Sequence, residues 1–347
     1  MVNVGDHING SAVLALGLLK GLLKIIDSKY DITVVASEEA MIHFNMKKFL
    51  GDRVTTADMI EDIYDVCFVP FHLTDKTHQR ICTEHCCKLI FWPLDLISIR
   101  SNYICDKSMI GGYEFIADYA DAICFLSETA KKDFNSYFNY EVCNNKTIQK
   151  VIHITDDEMD AVIYDHNDLE SDYYLVMGNS FLHKMIVPAI YTLAKCGKKA
   201  VIVGAGEDKK LGNITMYKSG NISPEMMEAL YNNCKALIFP SIYEGFGIPV
   251  IKSLNLNKDV FLVNSELNHE LEDLEKEFSK KMHYYNSIEE LPEMLDLFER
   301  ESKQDIQNEL YCKTWENVAR ECLDIIDEVN EQPVSVEKLM GRKKHLR

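Results

Sequence analysis

The stretch A-L-I-F-P-S-I-Y-E-G-F-G-I-P-V-I-K-S-L, residues 236–254, decides the fold of this chain. Ala236, Leu237, Ile238 and Phe239 form an uninterrupted apolar run that ends at Pro240 and Ser241. A short strand buried on both faces of a parallel sheet reads this way. Gly245 and Gly247 then permit a tight turn, and Pro249 suits the first turn of a helix, where its missing N–H would have no partner in any case. The amides of Gly247 and Ile248 therefore sit at a helix N-terminus, where unpaired N–H groups and the positive end of the helix dipole favour a phosphate. Glu244 and Tyr243 precede them. A carboxylate is unwelcome in a bare phosphate pocket, so Glu244 is read as accepting hydrogen bonds from sugar hydroxyls. Phosphate and polyol side by side describe a nucleotide-sugar.

Working outward, residues 173–177, 200–203, 214–217, 260–263 and 282–285 are further strand-like runs, separated by helical intervals. An earlier series, at residues 32–35, 66–70, 88–92, 122–126 and 148–154, follows a short apolar strand at residues 1–4. Alternating strands and helices predict parallel sheets with both faces covered. The reading is α/β, with two facing doubly wound, Rossmann-like domains over residues 1–165 and 166–347. The acidic, Asn-rich stretch 155–172 reads as the linker between them. Ser127 and Ser223 are expected helix caps, the latter with Pro224 at the first helical position.

Composition sets limits. With 347 residues, 47% of them hydrophobic, the chain is long enough for two cores. A formal charge of −18 argues against a nucleic-acid partner, which would require clustered Lys and Arg. The basic run 341–347 is read as a solvated tail, with peripheral contact to an anionic membrane surface as the alternative. Eleven cysteines without regular spacing, and no export signal, predict reduced thiols and a cytoplasmic location. The apolar residues 13–26 contain Lys20 and Lys24 and are read as an amphipathic helix. Cys82, His85 and Cys86 would share one face of a helix, with Cys87 beside them. No fourth ligand is evident, so buried free thiols are preferred to a zinc site.

The run Glu244-Gly245-Phe246-Gly247-Ile248-Pro249 resembles the signature of the family-4 retaining glycosyltransferases, E-G-F-G-x-P-x-x-E. The resemblance implies the GT-B architecture, a nucleotide-sugar donor, and a glycan, lipid-linked or protein acceptor. It implies no cofactor and no metal, and a last helix that returns to the first domain. Its second Glu grips the donor ribose, whereas this chain has Lys252 there, an ammonium with donors only. Gly178 through Lys184, G-N-S-F-L-H-K, resembles the family loop whose lysine neutralises the diphosphate, with His183 where some members carry Arg. Gly204 and Gly206 resemble the strand-end turn of the family. Ile222 falls where backbone groups meet the nucleobase, and Asn9 and Gly10 in a turn beside the donor. Residues 118–134 resemble a further family segment, and Asp95 is a possible cleft residue. The expected catalytic pair is Glu244 and Lys184. Lys252 is expected to reach the ribose or the diphosphate. The alternatives are a non-catalytic subunit that keeps the fold and a sugar-nucleotide epimerase of the same architecture.

Overall fold

The computed structural model describes residues 10–73, 76–101, 103–104, 107–138, 147–155, 171–220, 222–275, 278–301, 311 and 313–346. The chain divides into two compact units, Met1–Thr155 with Lys313–Arg347, and Asp156–Cys312. The linker read from the sequence, and with it the boundary at 165, falls mostly outside the described residues, as do the expected strand at 1–4 and Asn9.

In the first unit, β1 (Val34–Val35) pairs in parallel with β2 (Val54–Thr55). A second, all-parallel sheet has the order β3 (Tyr64–Val69), β4 (Cys86–Phe91), β5 (Ala122–Phe125), β6 (Ile148–Val151). The strands read at 66–70, 88–92, 122–126 and 148–154 are present with shifted ends. Ser127 Oγ accepts from Ala130 N at 3.0 Å and starts helix Glu128–Phe138. The core joins Phe91, Ile123 and Phe125 of the sheet to Tyr113, Phe115 and Ile116 of helix Lys107–Tyr119.

The cysteine cluster is not a helix face. Helix Lys76–Glu84 stops before His85, and Cys86 already opens β4. Cys82 and Cys86 are buried among apolar side chains of the core. His85 Nδ1 lies 3.1 Å from the Asp62 carbonyl. The helical spacing of Cys82, His85 and Cys86 fails because β-branched and apolar residues from 86 onward favour the sheet over a further helical turn.

Residues 302–310 lie outside the described set. Helix Trp315–Glu331 begins at Thr314, which shares a reciprocal capping box with Asn317. It packs along helix Gly10–Ile25 at the two glycines facing Trp315: a Cβ on Gly21 would stand 2.2 Å from the Trp315 carbonyl oxygen. The basic run at the end is not a free tail. Its residues 341–345 belong to helix Val336–His345, and Arg342 is buried, donating to the carbonyls of Cys82 and Cys87 at 2.9 Å each. A guanidinium whose fork meets two main-chain carbonyls, one on helix Lys76–Glu84 and one on β4, is held by geometry that water does not offer. No helix among the described residues is long and apolar enough to cross a membrane.

The second unit has one sheet in the order β13 (Met282–Tyr285), β12 (Asp259–Val263), β11 (Ala236–Phe239), β7 (Tyr174–Met177), β8 (Ala200–Ala205), β10 (Ile214–Lys218), β9 (Lys209–Leu211). All pairings are parallel except that of β9 with β10. The exposed edge strand β9 went unread because Lys209-Lys210-Leu211 carries no apolar pattern. Alternate residues split the strands between two faces. Val176, Ile202, Ile238 and Phe261 meet Ile186, Ala189 and Leu193 of helix Ile186–Lys195 and Leu291, Leu295 and Phe298 of helix Leu291–Arg300. The chain enters at β7, winds outward through β8 to β10, then returns to β11 on the other side of β7. Adjacent β7 and β11 thus form the point where winding reverses, the place where open α/β sheets leave a crevice at their carboxyl edge.

Substituting Gly21→Ala forces a methyl into the backbone of Trp315, which cannot rotate away. Overpacking of this kind costs about 1–3 kcal/mol, to be read as a lower urea midpoint; an unchanged midpoint would show that the two helices do not meet as described.

Candidate functional site

Two loops flank the reversal of winding. The loop after β7 runs from Gly178 into a single 3-10 turn, Leu182–Lys184, and the loop after β11 runs from Pro240 to the start of helix Ile248–Asn255. They are tied by backbone: Ile242 N donates to the His183 carbonyl at 2.9 Å, and Ser241 Oγ lies 3.5 Å from the same oxygen. His183 itself is buried and its ring stacks on Phe181 at 5.8 Å. An imidazole so placed is a wall of the loop, at the position where the resembling family carries Arg in some members.

Across these loops Lys184 Nζ lies 2.5 Å from Glu244 Oε1, with side chains 16% and 18% exposed. The two residues expected to do the chemistry, 60 positions apart in sequence, are therefore in direct contact. A charge-assisted bond this short and this enclosed holds both heads in one place before any ligand arrives.

Glycine is required at two points nearby. Gly247 has φ +124°, a value that side chains rarely tolerate, and it is the residue from which the helix starts. Pro249 lies in the first turn, as expected. By position, the amides of Gly247 and Ile248 precede the first intrahelical bond. Gly204, at φ +102°, brings β8 so close to the loop after β7 that a Cβ there would stand 2.0 Å from the Gly178 carbonyl oxygen. Gly178 and Gly204 thus define the floor of the loop that carries Lys184. Gly245 and Phe246 are buried and Tyr243 is half-buried beside Glu244; Ser241 Oγ donates to the Tyr243 carbonyl at 3.0 Å.

Ile222 is half-buried and immediately precedes Ser223, whose Oγ accepts from Met226 N at 3.2 Å and caps helix Pro224–Asn233. That helix answers the departure at Lys252. Lys252 Nζ lies 2.6 Å from Glu228 Oε2, with side chains 12% and 24% exposed, and 5.3 Å from the ring centre of Tyr231. Both charged residues sit one turn into their helices, Glu228 in Pro224–Asn233 and Lys252 in Ile248–Asn255. Glu228 and Tyr231 were missed by motif reading. The available signal was the unpaired sign at Lys252, which calls for an acid on a neighbouring helix.

The remaining expected residues lie in the first unit. Gly10 opens helix Gly10–Ile25 and is exposed, with open space where a Cβ would be. Asp95 Oδ1 accepts from Ile97 N at 2.9 Å, in the loop after β4. Among the described residues no cluster of three or more acids, histidines or cysteines is arranged to hold a metal ion.

No protein-family model and no curated protein sequence matches the chain. Solved structures do. HepE of Anabaena, solved with UDP and glucose, is similar at a TM-score of 0.62 and 12% identity, over 94% of this chain and 98% of that one. Sucrose-phosphate synthase of Thermosynechococcus elongatus is similar at 0.54 and 12%, over 77% and 71%. A GtfA/B complex matches at 0.50 and 12% over 78% of this chain, which spans 58% of that chain's length. At this identity the likeness establishes the fold: α/β with parallel sheets, of the GT-B glycosyltransferase type.

Neutralising one partner of the Lys252–Glu228 pair strands the other charge in a mostly enclosed place. Lys252→Met and Glu228→Gln should each destabilise the chain, and the double variant should recover part of the loss, giving a coupling of about 1–2 kcal/mol in a double-mutant cycle. Strict additivity in urea unfolding would mean that the pair contributes nothing.

Proposed function

We propose that this protein is a nucleotide-sugar-dependent glycosyltransferase that retains anomeric configuration. The observation that carries the reading is the contact of Lys184 with Glu244 at the reversal of winding in the second unit, beside a helix N-terminus. A diphosphate arriving there competes for the lysine ammonium. Glu244, relieved of its counter-ion, is free to accept from the hydroxyls of the donor sugar. The pair therefore changes partners on binding: the ammonium passes to the diphosphate and the carboxylate to sugar hydroxyls. As the bond from the anomeric carbon to the phosphate oxygen breaks, negative charge grows on the leaving diphosphate. Lys184 and the amides of Gly247 and Ile248 oppose it from fixed positions. The acceptor oxygen bonds the anomeric carbon on the face the diphosphate leaves, and its proton passes to the departing phosphate oxygen. The scheme needs no separate nucleophile and assigns the leaving charge to protein groups, so no metal enters it. The nucleobase is placed at the loop of Ile222, and the ribose near Lys252 and Glu228. HepE was solved with UDP and glucose, which makes UDP-glucose the first donor to try. A cytoplasmic setting fits the eleven irregularly spaced cysteines, and Lys343 and Lys344 on helix Val336–His345 offer contact to an anionic surface carrying a lipid-linked acceptor.

One observation favours the rival reading of a subunit that keeps the fold without turnover. Glu228 occupies the Lys252 ammonium, and position 252 offers no carboxylate to the ribose. Calorimetric titration with UDP-glucose and GDP-mannose separates the two. The catalytic reading expects saturable binding of one of them, weakened at least about tenfold, or 1.4 kcal/mol, by Lys184→Ala. Glu244→Gln should lower kcat by about 10²–10³ while the fold is kept, the size of one lost preorganised contact. A wild type that binds no nucleotide-sugar overturns the proposal, and binding without donor breakdown or transfer leaves the non-catalytic reading standing.

A further inference from the structure

The first unit carries a constellation built on a residue that no motif singled out. His72 lies three residues past the end of β3, and Asp95 four past the end of β4. Both stand at the carboxyl edge of a parallel sheet, where side chains converge from adjacent strand ends. Their side chains are 18% and 22% exposed, so a small group can reach them from outside.

The hydrogen bonds fix the state of the imidazole. The Tyr113 hydroxyl lies 2.8 Å from the Asp95 main-chain oxygen and 3.0 Å from His72 Nδ1. A hydroxyl has one hydrogen, and a carbonyl oxygen can only accept. Tyr113 therefore donates to Asp95, and His72 donates to Tyr113 through Nδ1–H. In the neutral ring Nε2 then carries a bare lone pair, and it faces Asp95 Oδ1 across 3.8 Å, beyond hydrogen-bond length. Burial holds His72 below the ordinary imidazole range, against the opposing pull of Asp95, which keeps the ring neutral at neutral pH. Oδ1 already accepts from Ile97 N. Among the described residues no protein donor lies within hydrogen-bond reach of Nε2, and the carboxylate keeps further accepting capacity.

The arrangement is built at a cost. Helix Lys107–Tyr119 carries Gly112 in mid-course, where glycine is less favourable than alanine. A Cβ on Gly112 would stand 1.8 Å from the Leu73 carbonyl oxygen. Only glycine lets this helix lie on the backbone next to His72 and set the buried Tyr113 beneath the imidazole.

Two acceptors side by side, one of them a carboxylate, repel phosphate and select a ligand with two donors. Neighbouring hydroxyls of a pyranose supply two O–H groups at matching separation. We propose that His72 and Asp95 form a polyol site of the first unit, taking one hydroxyl of a vicinal diol on His72 Nε2 and the other on the Asp95 carboxylate. That the diol belongs to the acceptor rests on the transferase reading; that the site takes a polyol does not.

The test uses the full chain labelled with ¹⁵N-histidine, the His72 signal being assigned by its disappearance in His72→Gln. Long-range ¹⁵N–¹H spectra at neutral pH are expected to show His72 as the Nδ1–H tautomer. Methyl α-D-glucopyranoside should shift its Nε2 resonance saturably, and inorganic pyrophosphate should not. Asp95→Asn and Tyr113→Phe, the latter nearly isosteric, should each weaken the glucoside response by about tenfold or more. An Nε2–H tautomer, a protonated ring, or a His72 signal unmoved up to the solubility limit of the glucoside overturns the proposal. Calorimetry with UDP on the same samples keeps the two readings apart: UDP binding with no glucoside response sinks the polyol site alone, and a glucoside response with no UDP binding sinks the donor site alone.

Discussion

The contact between Lys184 and Glu244 exists only because β7 and β11 are neighbours in the sheet while three strands separate them in the chain. A parallel sheet wound in one direction would send successive loops away from one another. Reversal of winding places the loop after the first strand of the unit beside the loop after the fifth, and both open at the same edge. The buried register of β11 against β7, with Ala236 opposite Tyr174 and Ile238 opposite Val176, sets how far apart the two loops start. Gly204 and the backbone bond from Ile242 to His183 then set where they end. The ion pair is thus a product of strand order, enforced by packing well below it.

Much of this was legible in the sequence, for identifiable reasons. Four apolar residues bounded by Pro240 can be little other than a strand covered on both faces, and β11 comes out at the boundaries read from sequence. Ser127 and Ser223 announce their helices because a hydroxyl before a helical run meets an otherwise orphaned amide. What sequence does not carry is pairing between elements. Glu228 resembles any other helix acid until the neighbouring helix brings Lys252 to it. His72 has no motif at all; its meaning arises from Tyr113, which lies on a different element and is brought there by Gly112. The cysteine cluster failed for the opposite reason: spacing assumed a continuous helix through a point where the chain changes from helix to strand.

The two candidate sites differ in chemical character. The second unit offers an ammonium, helix-end amides and one carboxylate, a set suited to anions with a sugar attached. The first offers acceptors only, a lone pair and a carboxylate, suited to neutral molecules rich in hydroxyls. Each is assembled at the carboxyl edge of its own sheet, and each depends on a glycine that lets backbone approach backbone. The acidic surface around them adds a further constraint, since long-range potential opposes an anionic donor and leaves local donors to hold it.

The membership of Lys313–Arg347 in the first unit has a consequence for biosynthesis. The second unit is one continuous stretch of chain and is complete when its last strand and helix have left the ribosome. The first unit is not: Trp315 against Gly17 and Gly21, and Arg342 against the carbonyls of Cys82 and Cys87, are supplied by residues translated after the whole of the second unit. Although its synthesis starts before that of the second unit, the first unit is completed after it, and until then its nascent form exposes the apolar face of helix Gly10–Ile25 and the rim of β4. Transiently exposed apolar surface is what chaperones meet, so in this chain the burden of assisted folding falls on the first unit and is discharged when residues 313–347 dock on it.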